Sequence, residues 1–382
     1  MLFVMGSTGS IGTQTLEVAK AHNIRVSGLA ALNEVDVMER QIKEFQPEQV
    51  VLYDEKAANE LRNRVIGRGV KVVSGMEGII ETIRLDSVEL VVNGIFGAAG
   101  VVPTLETLRA KKRLALANKE SLVMAGDIIM NEAKNNCIEI MPIDSEHNAI
   151  YQCLLGRKKS EVDRLIITCS GGPFRMWPRE KIETATPEDA LKHPTWSMGA
   201  DITISSALLL NKGREILEAM YLFDVPIERI DVVIHPQSVV HSMVRFIDGS
   251  IVALLGPTDM RVPIQFAITY PNLRPNAFPQ LDYFHMNLTF EPPDMERFPA
   301  LAYAYEVAKK RGTAPAVYNA AGEVAVREFL RKKILFGEIN RLIRETLDAH
   351  QYKSNPSLED LFAIDKWARD YVRAKVNGGG KA

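Results

Sequence analysis

The sequence predicts an α/β protein with three domains, and three observations lead to that prediction. Short apolar runs alternate with amphipathic stretches from residue 1 to about 142, which is typical of a parallel sheet wrapped by helices. Asp248-Gly249, a strong hairpin signal, joins two later strand-like runs and indicates an antiparallel element. Beyond residue 299 the chain is rich in Ala, Glu, Lys and Leu, as helices are. A chain of 382 residues is also too long for one ordinary core.

The first predicted domain covers residues 1–143. Amphipathic stretches separate its apolar runs, so each connection is expected to be a helix and the strands are expected to be parallel. The seven runs that predict its strands read LFVM, IRVSGLA, QVVLY, VKVV, VELVV, RLALA and CIEIM.

The remaining chain predicts two domains and a linker. An α+β domain is expected over residues 144–270, with a long helix near 203–222 and the strands DRLIITC, HSMVRFI and SIVALL. The stretch 271–298 is rich in Pro and Asn and predicts a linker. Residues 299–382 predict a small helical domain with a frayed tail.

The composition of the chain limits the kinds of molecule that it is expected to bind. Lys and Arg number 46 against 48 for Asp and Glu, so the chain has no long-range field for nucleic acid or anionic lipid. The most apolar stretch, VELVVNGIFGAAGVVPTL, is interrupted by polar residues and proline and does not predict a membrane span. Cys137, Cys153 and Cys169 are scattered without metal-ligand spacing, and the first residues lack the basic region of a signal peptide. We expect a cytoplasmic protein that acts on a small molecule.

The segment MGSTGSIG follows the first predicted strand and opens a helix. It places Gly6, Gly9 and Gly12 where a turn must be tight and where backbone amides could approach a pyrophosphate. Any tight connection from strand to helix also favours glycine. The order of strand, loop and helix favours a Rossmann-like dinucleotide-binding domain.

Two carboxylates, Asp144 and Glu146, flank Ser145 where the last strand of the first domain ends. Acidic and hydroxyl side chains also favour helix N-termini, so simple capping is the alternative explanation.

Further along the chain, Asn211, Lys212 and Glu215 have a spacing that places them on one helix face. A surface ion pair is the commoner use of such spacing. Nearby Ser205 and Ser206 favour a phosphate-binding surface instead. With Glu215 as the third carboxylate, the acidic residues suit Mg²⁺ or Mn²⁺, with Co²⁺ as a further candidate.

Two loops contain further polar side chains that are candidates for a functional site. CSGGPF contains Ser170, and LKHPTWSMG contains His193, Trp196 and Gly199. The second loop has the composition of a lid that excludes water, although a surface loop with one stacked Trp is the alternative. The remaining candidate histidines are individually ambiguous: His147, His235 and His241.

Several long motifs, in order along the chain, resemble those of the 1-deoxy-D-xylulose 5-phosphate reductoisomerase family. They read GSTGSIG, LANKESLV, PIDSEHNAI, SGGPF, HPTWSMG, NKGREILEA and IHPQSVVHSM, and GPTDMRVPI and NAAGEVAV extend the likeness. The resemblance implies a homodimer with an N-terminal NADPH domain, a central catalytic domain and a C-terminal helical domain. It implies rearrangement and reduction of 1-deoxy-D-xylulose 5-phosphate to 2-C-methyl-D-erythritol 4-phosphate in the non-mevalonate isoprenoid pathway.

The resemblance also implies roles for single residues. The metal ligands would be Asp144, Glu146 and Glu215. The substrate contacts would be Lys119, Ser145, Glu146, Ser170, His193, Trp196, Ser206, Asn211, Lys212 and Glu215, with Lys119, Glu146 and His193 as the catalytic residues among them. The cofactor contacts would be Gly6, Thr8, Gly9, Ser10, Ile11, Asn33, Asn118, Glu120 and Gly199.

Two positions depart from the family pattern. Gly322 stands in NAAGE where the family usually has Asn, and AALNEV replaces a Gly-Lys-Asn-like turn. Glu34 lies 22 residues after Gly12, and an acid in that region ordinarily favours NADH by bonding the ribose. Alternatively, Glu34 points outward as a first-turn acid, and Asn33 helps to hold a 2′-phosphate. The family pattern as a whole favours NADPH, with weaker discrimination.

Two rival functions are also compatible with the sequence. One is an aldehyde or acyl-phosphate dehydrogenase with Cys169 as its nucleophile, which would need no metal. The other is a module that binds a dinucleotide without catalysing a reaction.

Overall fold

A computed structural model describes residues 1–192 and 199–378, and its internal contacts divide the chain into two compact units. The first unit comprises Met1–Ser121, Asp127–Asn148 and Asp259–Leu281. The second comprises the described residues of Leu122–Gly126, Ala149–Thr258 and Asp282–Ala382. The boundaries of the three predicted domains remain a prediction.

The first unit is built on one parallel sheet of seven strands, and this confirms the predicted fold class. The strands lie in the order β4-β3-β2-β1-β5-β6-β7. Helices can cover both faces of such a sheet, so its strands read as continuous apolar runs. The strands are β1 Leu2–Met5, β2 Val26–Ala31, β3 Gln49–Leu52, β4 Lys71–Ser74, β5 Leu90–Asn93, β6 Arg113–Leu116 and β7 Ile140–Pro142.

Helices connect these strands, as the amphipathic stretches predicted. Strand β1 pairs with β2 on one side and β5 on the other, so the winding of the chain reverses at β1. Open α/β sheets bind ligands beside such a reversal. The helices are α1 Ser10–Ala21, α2 Val35–Phe45, α3 Glu55–Arg64, α4 Gly75–Ile83, α5 Val101–Arg109, α6 Lys119–Asn135 and α7 Ser145–Leu154.

The second unit contains a mixed sheet in the order β11-β10-β8-β9. Its strands are β8 Val162–Cys169, β9 Ile230–Ile234, β10 Val240–Phe246 and β11 Ile251–Leu255. Strands β10 and β11 pair antiparallel, and Gly249 between them has a φ of 85°. The predicted hairpin is therefore confirmed.

The remaining helices of the described residues belong to one or the other of the two units. They are α8 Arg179–Glu183, α9 Pro187–Ala190, α10 Ala200–Ala207, α11 Leu210–Leu222, α12 Arg261–Thr269, α13 Pro299–Lys310, α14 Ala314–Leu330, α15 Phe336–Ala349 and α16 Leu358–Gly378. Helix α12 belongs to the first unit, where Arg261 on it forms an ion pair of 3.1 Å with Glu17 on α1. Among the described residues, no helix combines the length and apolar character needed to cross a membrane.

The long helix predicted near residues 203–222 is wrong in one respect, because the structure has two helices there. Leu209 lies between α10 and α11 with a φ of 56°, in the left-handed region. Packing fixes the position of α11: a Cβ at Gly213 would lie 2.1 Å from the Tyr318 hydroxyl and 2.8 Å from the Ala304 Cβ. The apolar pattern of the sequence continues through Leu209 and does not reveal the break.

The glycine loop depends on close backbone packing. Gly6 has a φ of 75°, and a Cβ there would lie 2.7 Å from the Gly94 carbonyl oxygen. A Cβ at Gly12 would lie 2.1 Å from the Gly6 carbonyl oxygen, whereas one at Gly9 would lie 3.4 Å from that atom.

We therefore predict that Gly12→Ser lowers the free energy of unfolding by about 1–3 kcal/mol, since backbone must shift to admit the new Cβ. Gly9→Ser is the matched control, because Gly9 is the N-cap of α1 and Ser is a favourable N-cap residue. Urea titrations followed by circular dichroism would measure both. Equal midpoints for the two variants would contradict the prediction.

Candidate active site

The glycine loop is held at the carboxyl edge of the parallel sheet. The amides of Gly6 and Ser7 donate to the Ala30 carbonyl oxygen at 2.8 and 2.9 Å. The Ser7 hydroxyl donates to Gln41 at 2.8 Å, and the Gln41 amide donates to the Ser7 carbonyl at 2.8 Å. Because α1 begins at Ser10, the predicted pyrophosphate-binding amides lie at a helix N-terminus. Gln41 carries no sequence signal beyond its place on α2.

Glu34 faces this loop. It is the N-cap residue of α2, and its carboxylate accepts hydrogen bonds from the Thr8 hydroxyl and the Asn33 amide, each at 3.2 Å. Glu34 is exposed, as the outward alternative expects, but its carboxylate also contacts the loop through Thr8. The N-cap backbone, with ψ at 75°, lies outside the helical range, and the side chain makes no capping hydrogen bond to α2.

Asn118 shapes the neighbouring loop. It is buried and caps α6, where its side-chain oxygen accepts from the Ser121 amide at 2.9 Å. Its amide nitrogen donates to the Ile95 carbonyl, to the Gly97 carbonyl at 3.0 Å and to the Glu120 carboxylate at 3.1 Å. These bonds order the backbone after β5 and β6, next to the predicted cofactor contacts.

Asp144 follows β7 and is a buried carboxylate of the first unit. It forms an ion pair with Lys119, and the Nδ1 atom of the buried His147 lies 3.9 Å from it. Burial alone would raise the pKa of Asp144, but the charge of Lys119 and the contact with His147 hold that pKa well below its usual range. The Ser145 hydroxyl donates to the Glu146 carboxylate at 2.6 Å.

Helix α11 carries the second set of predicted residues. Lys212 and Glu215 are both buried and form an ion pair, and the Asn211 amide also donates to Glu215. An ordinary surface pair would be solvated, so burial excludes that alternative. A charged ligand can bind a buried lysine and carboxylate if its contacts replace the ion pair that the two side chains form with each other.

The CSGGPF loop lies against the end of α10. A Cβ at Gly172 would lie 2.9 Å from Cα of Ala207 and 3.1 Å from the Ser206 carbonyl oxygen. The Gly172 amide donates to the Ser170 hydroxyl at 3.2 Å. The fold therefore brings together two of the predicted phosphate contacts, Ser170 and Ser206.

His235 has a structural role. Its Nδ1 atom lies 3.0 Å from the Thr289 carbonyl, and its Nε2 atom accepts from the amides of Val239 and Val240 at 3.2 and 3.1 Å. For His241, burial lowers the pKa.

Gly199 and Cys169 are two further candidate residues. Gly199 is exposed and is the N-cap of α10. The thiol of Cys169, at the end of β8, lies 3.8 Å from the Val233 carbonyl. His193 and Trp196, and the predicted lid with them, lie outside the described residues.

Three family models match most of the chain. One, described as 1-deoxy-D-xylulose 5-phosphate reductoisomerase, matches residues 2–126. Two others, described as C-terminal domains of that enzyme, match residues 140–223 and 255–371.

Curated relatives and solved structures agree with these matches. The reductoisomerase of Acetivibrio thermocellus is 49% identical over 98% of both chains, and that of Ruminiclostridium cellulolyticum is 46% identical over 98% of this chain and 99% of its own. The Zymomonas mobilis enzyme in complex with NADPH is 40% identical over 98% of both chains, with a TM-score of 0.92. A reductoisomerase in complex with NADPH, fosmidomycin and magnesium is 36% identical over 100% of this chain and 99% of its own, with a TM-score of 0.93. The resemblance seen in the sequence motifs is thereby confirmed, and this chain belongs to the 1-deoxy-D-xylulose 5-phosphate reductoisomerase family.

Proposed function

We propose that this chain converts 1-deoxy-D-xylulose 5-phosphate to 2-C-methyl-D-erythritol 4-phosphate, a step of the non-mevalonate isoprenoid pathway, with NADPH and a divalent metal. One observation carries the proposal: the reductoisomerase structure with NADPH, fosmidomycin and magnesium aligns with 100% of this chain. NADPH supplies the hydride, and the metal ion supplies a Lewis acid.

The glycine loop would hold the cofactor. Its tight backbone and the start of α1 at Ser10 present amides that suit a pyrophosphate. Beyond the loop, Asn118 and Glu120 lie in an ordered turn of the same unit. The full set of proposed cofactor contacts is Gly6, Thr8, Gly9, Ser10, Ile11, Asn33, Asn118, Glu120 and Gly199.

The proposed metal ligands are Asp144, Glu146 and Glu215. Their carboxylate oxygens are the donors that hard divalent cations prefer, so the residues fit Mg²⁺ or Mn²⁺. Two of them, Asp144 and Glu215, are buried, and buried carboxylates keep their charge only beside cationic partners.

The chain's own side chains would bind and orient the substrate. Lys212 supplies a point charge and the neighbouring hydroxyls and amide supply donors for the phosphate group. Lys119 stands against Asp144, where its ammonium group can donate to a substrate oxygen. The proposed phosphate contacts are Ser170, Ser206, Asn211 and Lys212. From the family resemblance, His193 and Trp196 would close the site and exclude water.

A homodimer in the cytoplasm completes the proposal. Strand β11 lies at the edge of its sheet, and its Ile251 and Leu255 side chains are exposed. An exposed apolar edge strand is a template for pairing with another chain, and we propose a second copy as that partner. The cytoplasmic location rests on three cysteines without disulfides.

Glu215→Gln should raise the dissociation constant for Mn²⁺ by about 100-fold, since an uncharged amide replaces a carboxylate ligand. Glu146→Gln, at a less buried position, should act in the same direction. Calorimetric Mn²⁺ titration and turnover at subsaturating Mn²⁺ would measure both. Asp224→Asn is the control, because Asp224 is an exposed acid of the same unit. Unchanged Mn²⁺ affinity in Glu215→Gln would remove this residue from the ligand set.

Cys169→Ala should retain turnover within about twofold, because a thiol against a carbonyl has no assigned part in the reaction. EDTA should abolish turnover of the wild type and of the variant. The assay follows NADPH absorbance after addition of ketose phosphate and metal. Loss of activity in Cys169→Ala with resistance to EDTA would favour the thiol-dependent dehydrogenase, and NADPH binding without turnover would favour the binding module.

Ile251→Lys should shift the protein from dimer to monomer, because a lysine on an edge strand opposes strand pairing. Light scattering during size-exclusion chromatography would give the mass. Ile66→Lys is the control, since Ile66 is equally apolar and 79% exposed but lies in the first unit. A dimer that survives Ile251→Lys and dissociates in Ile66→Lys would place the interface elsewhere.

A further inference from the structure

Helix α2 is joined to the glycine loop by several contacts, and its exposed N-cap residue, Glu34, makes one of them. Its carboxylate accepts from Thr8 within the loop. The same helix, α2, is joined to the loop again through the paired hydrogen bonds of Gln41 and Ser7. The loop is also joined to β2, because the Ala30 carbonyl oxygen accepts hydrogen bonds from two of the loop's backbone amides. The distance between Glu34 and the loop is therefore set by the fold.

The side chains that follow β2 beside the glycine loop carry negative charge. Residues 31–36 read ALNEVD and contain no lysine or arginine. The other acid, Asp36, is exposed and is paired with Arg64 at 2.6 Å, so it is directed to α3. Glu34 is left as the acid that faces the loop.

This position matters for the adenosine ribose of a dinucleotide. In dinucleotide-binding folds, an acid about 20 residues beyond the glycine loop accepts hydrogen bonds from the ribose hydroxyls, while a 2′-phosphate needs a donor or a cation there. Glu34 is an acceptor with a negative charge, so it favours a free 2′-hydroxyl and opposes a phosphate.

We propose that Glu34 is a specificity-determining residue that lets this enzyme use NADH as well as NADPH. The inference rests on the proposed reductoisomerase function. The hydride leaves C4 of the nicotinamide for the aldehyde carbon of the rearranged substrate, whose oxygen takes up a proton, and NAD⁺ remains. The 2′-phosphate takes no part in that step, so NADH balances the reaction as NADPH does.

The test compares wild type, Glu34→Gln and Glu34→Ala in the full-length protein with saturating metal and substrate. Glu34→Gln keeps the size of the side chain and removes its charge. The ratio of kcat/KM for NADPH over NADH should rise about tenfold or more in both variants, because a like-charge contact with the phosphate is relieved. The change should lie mainly in KM, since the adenosine ribose and the nicotinamide stand at opposite ends of a dinucleotide.

Calorimetric binding of NADPH and of NADH, without substrate, gives a second readout that needs no turnover. Both nucleotides should bind the wild type, and Glu34→Gln should tighten NADPH and weaken NADH. Asp36→Asn is the matched control, because it removes one negative charge two residues away that pairs with Arg64 on α3, and it should leave the ratio within about twofold. If Glu34→Gln changes the two affinities no more than Asp36→Asn does, or if NADH shows no saturable binding to the wild type, the proposal is overturned. Binding as expected without turnover by either nucleotide would support the role of Glu34 and contradict the reductoisomerase function instead.

Discussion

The carboxyl ends of parallel strands all lie at one edge of a sheet, and the positions of the candidate site residues in the first unit depend on that constraint. The glycine loop follows β1, Glu34 follows β2, Asn118 follows β6 and Asp144 follows β7. These residues are far apart in sequence and share an edge because each crossover returns the chain in the same direction. The same constraint orders Lys119, at the start of α6, against Asp144 after the adjacent strand.

Much of this fold could be predicted from the sequence, for a physical reason. Strands buried on both faces need few polar residues, and β1, β2, β3, β5 and β7 are buried along their whole length, so they appear as apolar runs between amphipathic helices. The hairpin at Gly249 was equally visible, since its positive φ favours glycine. The break at Leu209 was not, because three consecutive leucines fit a continuous helix and the contact between Gly213 and Tyr318 exists only after folding.

The site was predictable to a different degree. Helical spacing placed Lys212 and Glu215 on one face, but spacing does not distinguish a buried pair from a solvated one. The partnership of Lys119 with Asp144 required knowledge that β6 and β7 are neighbours. The sequence does not reveal the direction of Glu34, because its contact is with a hydroxyl 26 positions earlier in the chain.

The two lysine–carboxylate pairs act as internal counterions. Without Lys119 and Lys212, the buried carboxylates of Asp144 and Glu215 would each lose a cationic partner. With the lysines in place, folding does not have to wait for a divalent ion, since each unit neutralises its own carboxylate. If Asp144 and Glu215 bind the proposed metal, its uptake would be an exchange in which the ion displaces the ammonium groups of Lys119 and Lys212 from these carboxylates. Such an exchange would lower the metal affinity and would free the two lysine charges for an anionic substrate.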